Sequence, residues 1–218
     1  MTLAAAPATA VRVVPYDRER HGDGPWRVVE AVFAEYGFPF AVSDYDADVL
    51  EPDTHYTARG GWFSVAEDAA GRVVGCVGGS DEGGGVFELH RLYVLAEARG
   101  RGVGGALIQS VIDEAVARGA RRIVLFSDIH FADAHRLYER FGFRCTRFRY
   151  APDPFQSREW GFELSIDDFR LTIAHPTTPV AGSPTRPIAP SGGPGEAGKV
   201  AGSPTRPIAP SGGPGEAG

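Results

Sequence analysis

The sequence predicts an α/β fold: a mixed, mostly antiparallel twisted sheet of about 6–7 strands flanked by helices, followed by a disordered C-terminal tail. Three observations predict it. Strand-like and helical runs follow one another as strand, helix, strand pair, strand, helix, strand, helix, strand, strand, an order suited to a mixed sheet with helices on both faces. A cluster of glycines joins one of these strands to the helix after it. Beyond Ile173, Pro, Gly, Ser and Ala dominate and aromatics vanish, leaving too little apolar surface to offset chain entropy.

Each element follows from local pattern. Residues 1–10 are Ala-rich, without a basic or strongly apolar stretch, and read as a flexible N-terminus. Val11 to Tyr16 reads as a short strand ended by Pro15. Trp26, Val29, Phe33 and Tyr36 recur three or four apart before Gly37 and Pro39, which predicts a helix with one face on the core. Phe38 to Arg59 shows no period and is expected to be irregular. Trp62 to Glu67 and Arg72 to Gly78 stand at hairpin spacing around Ala69, Ala70 and Gly71. Gly78 to Gly85 is expected to be a plain turn, because no helix behind it would complete a phosphate site.

Val86 to Val94 is the next strand. A helix opens near Gly102, with Leu107, Val111 and Ala115 four apart beside Ile108, Ile112 and Val116, and Gly119 ends it. Arg122 to Phe126 is a short apolar strand, and Ala132 to Arg140 a helix stopped by Gly142. Phe143 to Tyr150 alternates as a strand, and Glu159 to Leu164 is the last one. One folded domain is therefore expected at 11–164 and a Pro/Gly-rich tail at 165–218. Within the tail the stretch Ala181 to Gly198 recurs letter for letter at Ala201 to Gly218, a twenty-residue period. It lacks the apolar face a stacked repeat would bury and reads as a duplicated linker, with a Pro-rich docking peptide as the rival reading.

Composition narrows the function classes. A net charge of −6 argues against a dedicated nucleic-acid surface, which needs clustered Lys and Arg. Two cysteines, Cys76 and Cys145, do not make a secreted disulfide framework, so a cytoplasmic setting is expected. No run approaches the roughly 18 apolar residues of a membrane helix.

The chemistry concentrates at Leu92 to Gly105, where a strand enters a helix through Gly100, Gly102, Gly104 and Gly105. The first amides of a helix lack intrahelical partners and carry about half a positive charge together, so this turn can receive a pyrophosphate, with Arg99 and Arg101 adding side-chain charge. Gly100, Gly102 and Gly105 also satisfy a dinucleotide-binding spacing, but a hairpin precedes them and a single crossover follows, unlike a doubly wound domain. Arg99-Gly100-Arg101-Gly102-Val103-Gly104 matches the Gln/Arg-x-x-Gly-x-Gly/Ala motif of the GNAT N-acetyltransferases, and Leu137-Tyr138-Glu139-Arg140-Phe141-Gly142-Phe143 matches that family's Leu-Tyr-x-x-x-Gly-Phe. The chain resembles that family over Val11 to Leu164.

The resemblance implies acetyl-CoA as cosubstrate and an amine acceptor, small molecule or peptide, and leaves a homodimer open. It implies cofactor contacts from Leu92, Tyr93, Val94 and from Arg99, Gly100, Arg101, Gly102, Val103, Gly104 and Gly105. Amide groups of Leu92 to Val94 would polarise the carbonyl, and Tyr138 would protonate the departing thiolate. At Phe131 many relatives carry Asn, so Asp128 or His130 is expected to supply that contact; His130 is taken as cofactor-binding. Free amines have a pKa near 10.4, so a base is required. Glu88 is the first choice and His90 the reserve, since alternation would place Glu88, His90 and Leu92 on one face. The acceptor pocket is expected between Phe38 to Arg59, acidic through Asp44, Asp46, Asp48, Glu51 and Asp53, and Tyr150 to Glu159. No metal is expected: His130 and His135 are five apart, off a shared helix face, and Asp128 or Asp133 reads as a helix cap. A non-catalytic acyl-CoA-binding module is the competing class.

Overall fold

The computed structural model describes residues 11–39, 46–151, 153 and 156–169. Seven strands form one sheet in the order β1-β2-β3-β4-β5-β7-β6. They are β1 (Arg12–Pro15), β2 (Trp62–Glu67), β3 (Val73–Asp81), β4 (Val86–Val94), β5 (Arg122–Asp128), β6 (Arg144–Tyr150) and β7 (Arg158–Ser165). Neighbours run antiparallel except β4 and β5. The helices are α1 (Arg18–His21), α2 (Gly24–Tyr36), α3 (Pro52–His55), α4 (Val103–Ala117) and α5 (Ala132–Arg140). The expected mixed, mostly antiparallel sheet is present, and α4 makes the crossover that a parallel pair requires.

Apolar spacing decides which face each helix covers. On α4, Leu107, Ile108, Val111, Ile112 and Ala115 are buried against Trp62, Ala66, Val74, Phe87 and Leu89. On α2, Val28, Val29, Val32 and Phe33 are buried against Phe63, Val65, Val73, Cys76 and Tyr93 on the other face. Gly37, at φ +69°, stops α2 in the left-handed conformation glycine adopts without cost.

The glycine run after β3 behaves differently from expectation. Gly78 and Gly79 belong to the strand, and only residues 82–85 turn. A Cβ on Gly78 would lie 2.6 Å from Tyr56 Cε1, and one on Gly79 would overlap Trp62, so packing in the strand requires these glycines. The stretch expected to be irregular contains α3 and two 3-10 turns, Ala47–Val49 and Thr57–Arg59. The packed chain also continues past Leu164, with Ile166 buried and Phe169 against the core. The N-terminal stretch expected to be flexible, Asp44 and the duplicated tail lie outside the described residues.

One irregularity in β4 governs the site. Cys76 pairs with Tyr93 and Gly78 with His90, so Val77 faces both Arg91 and Leu92 in a β-bulge. Arg91 takes φ +54°, a conformation that costs a non-glycine residue of order 1 kcal/mol or more. Its buried guanidinium donates from Nε and NH2 to the two carboxylate oxygens of Asp48, at 2.9 and 2.7 Å, and from NH1 to Asp46 at 2.8 Å. Tyr56 donates to Asp48 at 2.6 Å. Two residues expected to attract the acceptor, Asp46 and Asp48, are therefore taken up by Arg91. The bulge also overturns the expected alternation: Glu88 and His90 share one face, while Leu92 moves to the other and packs with the α4 core. Asp48→Ala leaves a buried cation short of its main partner, and we expect it to cost about 3–5 kcal/mol of stability in a urea titration.

Candidate active site

The parallel ladder between β4 and β5 pairs Val86 to Leu89 with Arg122 to Leu125 and stops there. Beyond it β4 stays with β3 and β5 with β7, so the two strands splay. A cavity of about 550 Å³ opens in the gap. Leu92, Tyr93 and Val94 line it from β4, and Phe126, Ser127 and Asp128 from β5. Arg99, Gly100, Gly102, Val103, Gly104 and Gly105 line it from the turn, and Tyr138 from α5. Three expected site residues, Glu88, Arg101 and His130, are not part of this wall.

The turn is built for close approach by backbone. Gly100 and Gly102 have φ +72° and +82°, which a side chain would resist. Gly104 serves packing, since its Cβ would lie 2.9 Å from Leu137 Cδ2 on α5. Gly102 caps α4 without a side-chain bond, and the first intrahelical bond runs from Ala106 N to Gly102 O. The amides of Val103, Gly104 and Gly105 precede it and form the anion-binding end of the helix. The Arg99 guanidinium is engaged elsewhere: it donates to both Glu35 oxygens at 2.6 and 2.7 Å and to Val94 O at 3.0 Å. The residues present thus suit a pyrophosphate through backbone donors.

Tyr138 is both core residue and cavity wall. Its ring packs on Phe143 and Phe162, at 5.9 and 5.4 Å between centroids, and it is 4% exposed. Burial holds its phenol well above the usual tyrosine range, opposed by a hydrogen bond with Ser127. Ser127 Oγ also lies 3.2 Å from Nε2 of the buried His135. Ser127 was not foreseen; only its place beside Tyr138 in three dimensions reveals it.

On the opposite face stand Glu88 and His90. Ser80 donates to Glu82 at 2.6 Å, so its oxygen accepts from His90 Nε2 at 2.9 Å. That fixes the His90 tautomer and leaves a lone pair on Nδ1, which lies 3.9 Å from Glu88 Oε1. Burial lowers His90 to about 4, with Arg91 and Arg149 also opposing its charge against the pull of Asp48. Glu82, Glu88 and His90 bring one ligand atom each within 4.8 Å of one another.

Val124, Phe126 and Asp128 continue that face on β5, where Asp128 pairs with Glu159 of β7. Neither Asp128 nor Asp133 caps α5: Asp128 Oδ1 accepts from the His130 amide at 2.9 Å and sits 2.6 Å from His130 Nδ1, while Asp133 pairs with Arg136. Glu159 is fully buried and accepts from Arg149 Nε at 2.6 Å. Burial raises it to about 7, with Asp128 and Asp153 adding to the rise against Arg149. Glu159 ends the Tyr150 to Glu159 segment expected to line the acceptor pocket; its burial and its pairing with Asp128 and Arg149 were not foreseen.

Comparison with known proteins agrees with this geometry. Residues 26–143 match the family model described as Acetyltransferase (GNAT) family. An uncharacterized N-acetyltransferase of Schizosaccharomyces pombe is 32% identical over 124 residues, covering 56% of this chain and 76% of that protein. In two further curated relatives the match spans 61% and 52% of their length. Among solved structures, a GNAT-family acetyltransferase from Staphylococcus aureus superposes with a TM-score of 0.63 at 18% identity, covering 72% of this chain and 99% of that one. A Salmonella typhimurium protein solved with its cofactor acetyl-CoA superposes at 0.57 and 19% identity, covering 73% and 95%. The chain belongs to the GNAT acetyltransferase family, whose members take acetyl-CoA as cosubstrate.

Proposed function

We propose that this enzyme transfers an acetyl group from acetyl-CoA to a primary amine by direct attack within the splay of β4 and β5. The observation that carries the reading is the cavity that joins a bare helix N-terminus to Tyr138 through the gap between the strands. Acetyl-CoA supplies a thioester whose acyl carbon accepts the amine. The amides of Val103, Gly104 and Gly105 hold the pyrophosphate, and the β4 edge from Leu92 to Val94 holds the arm and directs an amide at the carbonyl oxygen. Positioning both reactants in one cleft removes the entropy of their encounter.

Two side chains move protons in this reading. Tyr138 donates its phenolic proton to the departing sulfur; burial raises the phenol, so it stays protonated and gives up the proton only as thiolate charge develops beside it. Glu88, faced by the lone pair of His90 Nδ1 and set back from the cavity wall, draws the proton from the amine through water on the other face. Among the described residues no helix is long and apolar enough to cross a membrane. Cys76 and Cys145 are both thiols, which supports a reducing, cytoplasmic setting.

Three outcomes test the reading. Acetyl-CoA at a hundred times its dissociation constant should stabilise the folded protein by about 2.7 kcal/mol in thermal denaturation, and NAD should not. Tyr138→Phe should keep that stabilisation and lower kcat by about 10²–10⁴-fold, at little change in the KM for acetyl-CoA. Glu88→Gln should lower kcat on a protonated amine and recover part of the loss at high pH, where the free amine is abundant. A folded protein that ignores every CoA species would remove the proposal.

A further inference from the structure

Two neighbouring buried carboxylates, Asp128 on the cavity wall and Glu159 behind it, are incompletely satisfied. Among the described residues Asp128 Oδ2 and Glu159 Oε1 have no hydrogen-bond partner, although Asp128 is 3% and Glu159 0% exposed. They are cross-strand neighbours on the face that also carries Glu88, where directly opposed side chains stand about 5 Å apart. Leaving a buried acceptor without a donor costs free energy, and two such oxygens side by side attract a cation with several N–H donors. Asp128 belongs to the cavity wall, whose opposite side holds Tyr138. Phe131 adds an apolar flank, with ring centroids 4.8 Å from Tyr36, 5.4 Å from Phe38 and 6.1 Å from Tyr93.

We infer that the Asp128–Glu159 pair is the receptor for the acceptor's ammonium group, so that the enzyme selects primary amines that arrive protonated and carry an apolar body against Phe131. This rests on the reading of the cavity as an amine-acetylation site and adds the acceptor's recognition chemistry. An ammonium offers three donors and one positive charge, which supplies the donor that Asp128 Oδ2 lacks and screens the two carboxylates from each other. Asp128 makes the contact at the wall, and Glu159 stands behind it. The groups that face Glu159 are Arg149 of β6, Asp128 of β5 and Asp153 of the β6–β7 connection, with His130 bound to Asp128. Because a proton and the ammonium compete for the same oxygens, amine affinity should rise as pH passes upward through about 7. The amine itself stays protonated over that range.

The test compares cation with neutral isostere, using 2-phenylethylammonium against 2-phenylethanol, and a short peptide with a free N-terminus against its N-acetylated form. Binding to the full chain saturated with CoA is followed by calorimetry at pH 6 and pH 8. We expect a preference for the ammonium of about tenfold or more, larger at pH 8, in the small-molecule pair, the peptide pair or both, and the responding pair identifies the source of the amine. Glu159→Gln should flatten the pH response, and Asp128→Asn, which keeps Glu159 in place, should abolish the preference. Equal binding of cation and isostere by the wild type, or a preference that survives both substitutions, overturns the inference. Stabilisation of the wild type by acetyl-CoA, measured in the same preparation, separates this failure from failure of the acetyl-transfer reading itself.

Discussion

The active cleft depends on one residue held in an unfavourable backbone conformation. Arg91 sits at φ +54° in the middle of a central strand, and two aspartates from the segment before β2 hold its guanidinium by three charge-assisted bonds. A buried ion pair of this kind is a weak source of net stability, since desolvation offsets most of the attraction. Its consequence here is geometric. The bulge bends β4 away from β5 just after their last paired residues, and that separation is the cavity. A regular β4 would continue the ladder toward Val94 and close the gap.

The two sides of that gap are chemically unlike. On the α4 and α5 side the donors are backbone amides, and the turn's best-placed cation, Arg99, is neutralised by Glu35. An anion held this way meets oriented dipoles on a rigid helix, without the rotamer entropy that arginine side chains lose on binding. On the other face of the sheet Asp128 reaches the cavity wall with Glu159 beside it on β7, and Glu88 and His90 stand along β4 outside that wall. Donor-rich backbone on one side suits a polyanionic cosubstrate, and acceptor-rich side chains on the other suit a cationic acceptor.

Much of this was legible in the sequence, and the residues show why. The stripe Leu107, Val111 and Ala115 and the stop at Gly119 fixed α4 locally, because periodicity and a left-handed terminus are properties of adjacent residues. Gly100 to Gly104 announced the turn for the same reason. The bulge was not legible, since its cause lies in Asp48 and Asp46, 43 and 45 residues away from Arg91. That hidden cause misplaced Leu92 by one face and made Asp46 and Asp48 look like acceptor ligands. Gly78 and Gly79 looked like a loop because the side chains that exclude a Cβ there, Tyr56 and Trp62, come from distant elements. Glu159 fell within the segment expected to line the acceptor pocket, but its pairing with Asp128 and Arg149 on neighbouring strands was not legible, for the same reason.

Burial pushes the site's ionisable groups in one direction. Tyr138 is held above its usual range, His90 is lowered to about 4 and Glu159 raised to about 7, and in each the leading cause is desolvation of the charged form. Desolvation therefore favours the neutral phenol, the neutral imidazole and, below about pH 7, the neutral carboxyl. Burial keeps the phenol neutral and able to give a proton, whereas an imidazole lowered to about 4 is too weak a base to take the amine's proton, which leaves that part to Glu88 in the proposed reading. The same burial makes an isolated carboxylate costly, and the cost falls when a cation enters beside it. Ammonium binding on the Glu159 side would thus ionise a group that the empty cleft keeps partly protonated, coupling arrival of the acceptor to the charge state of the face it attacks from.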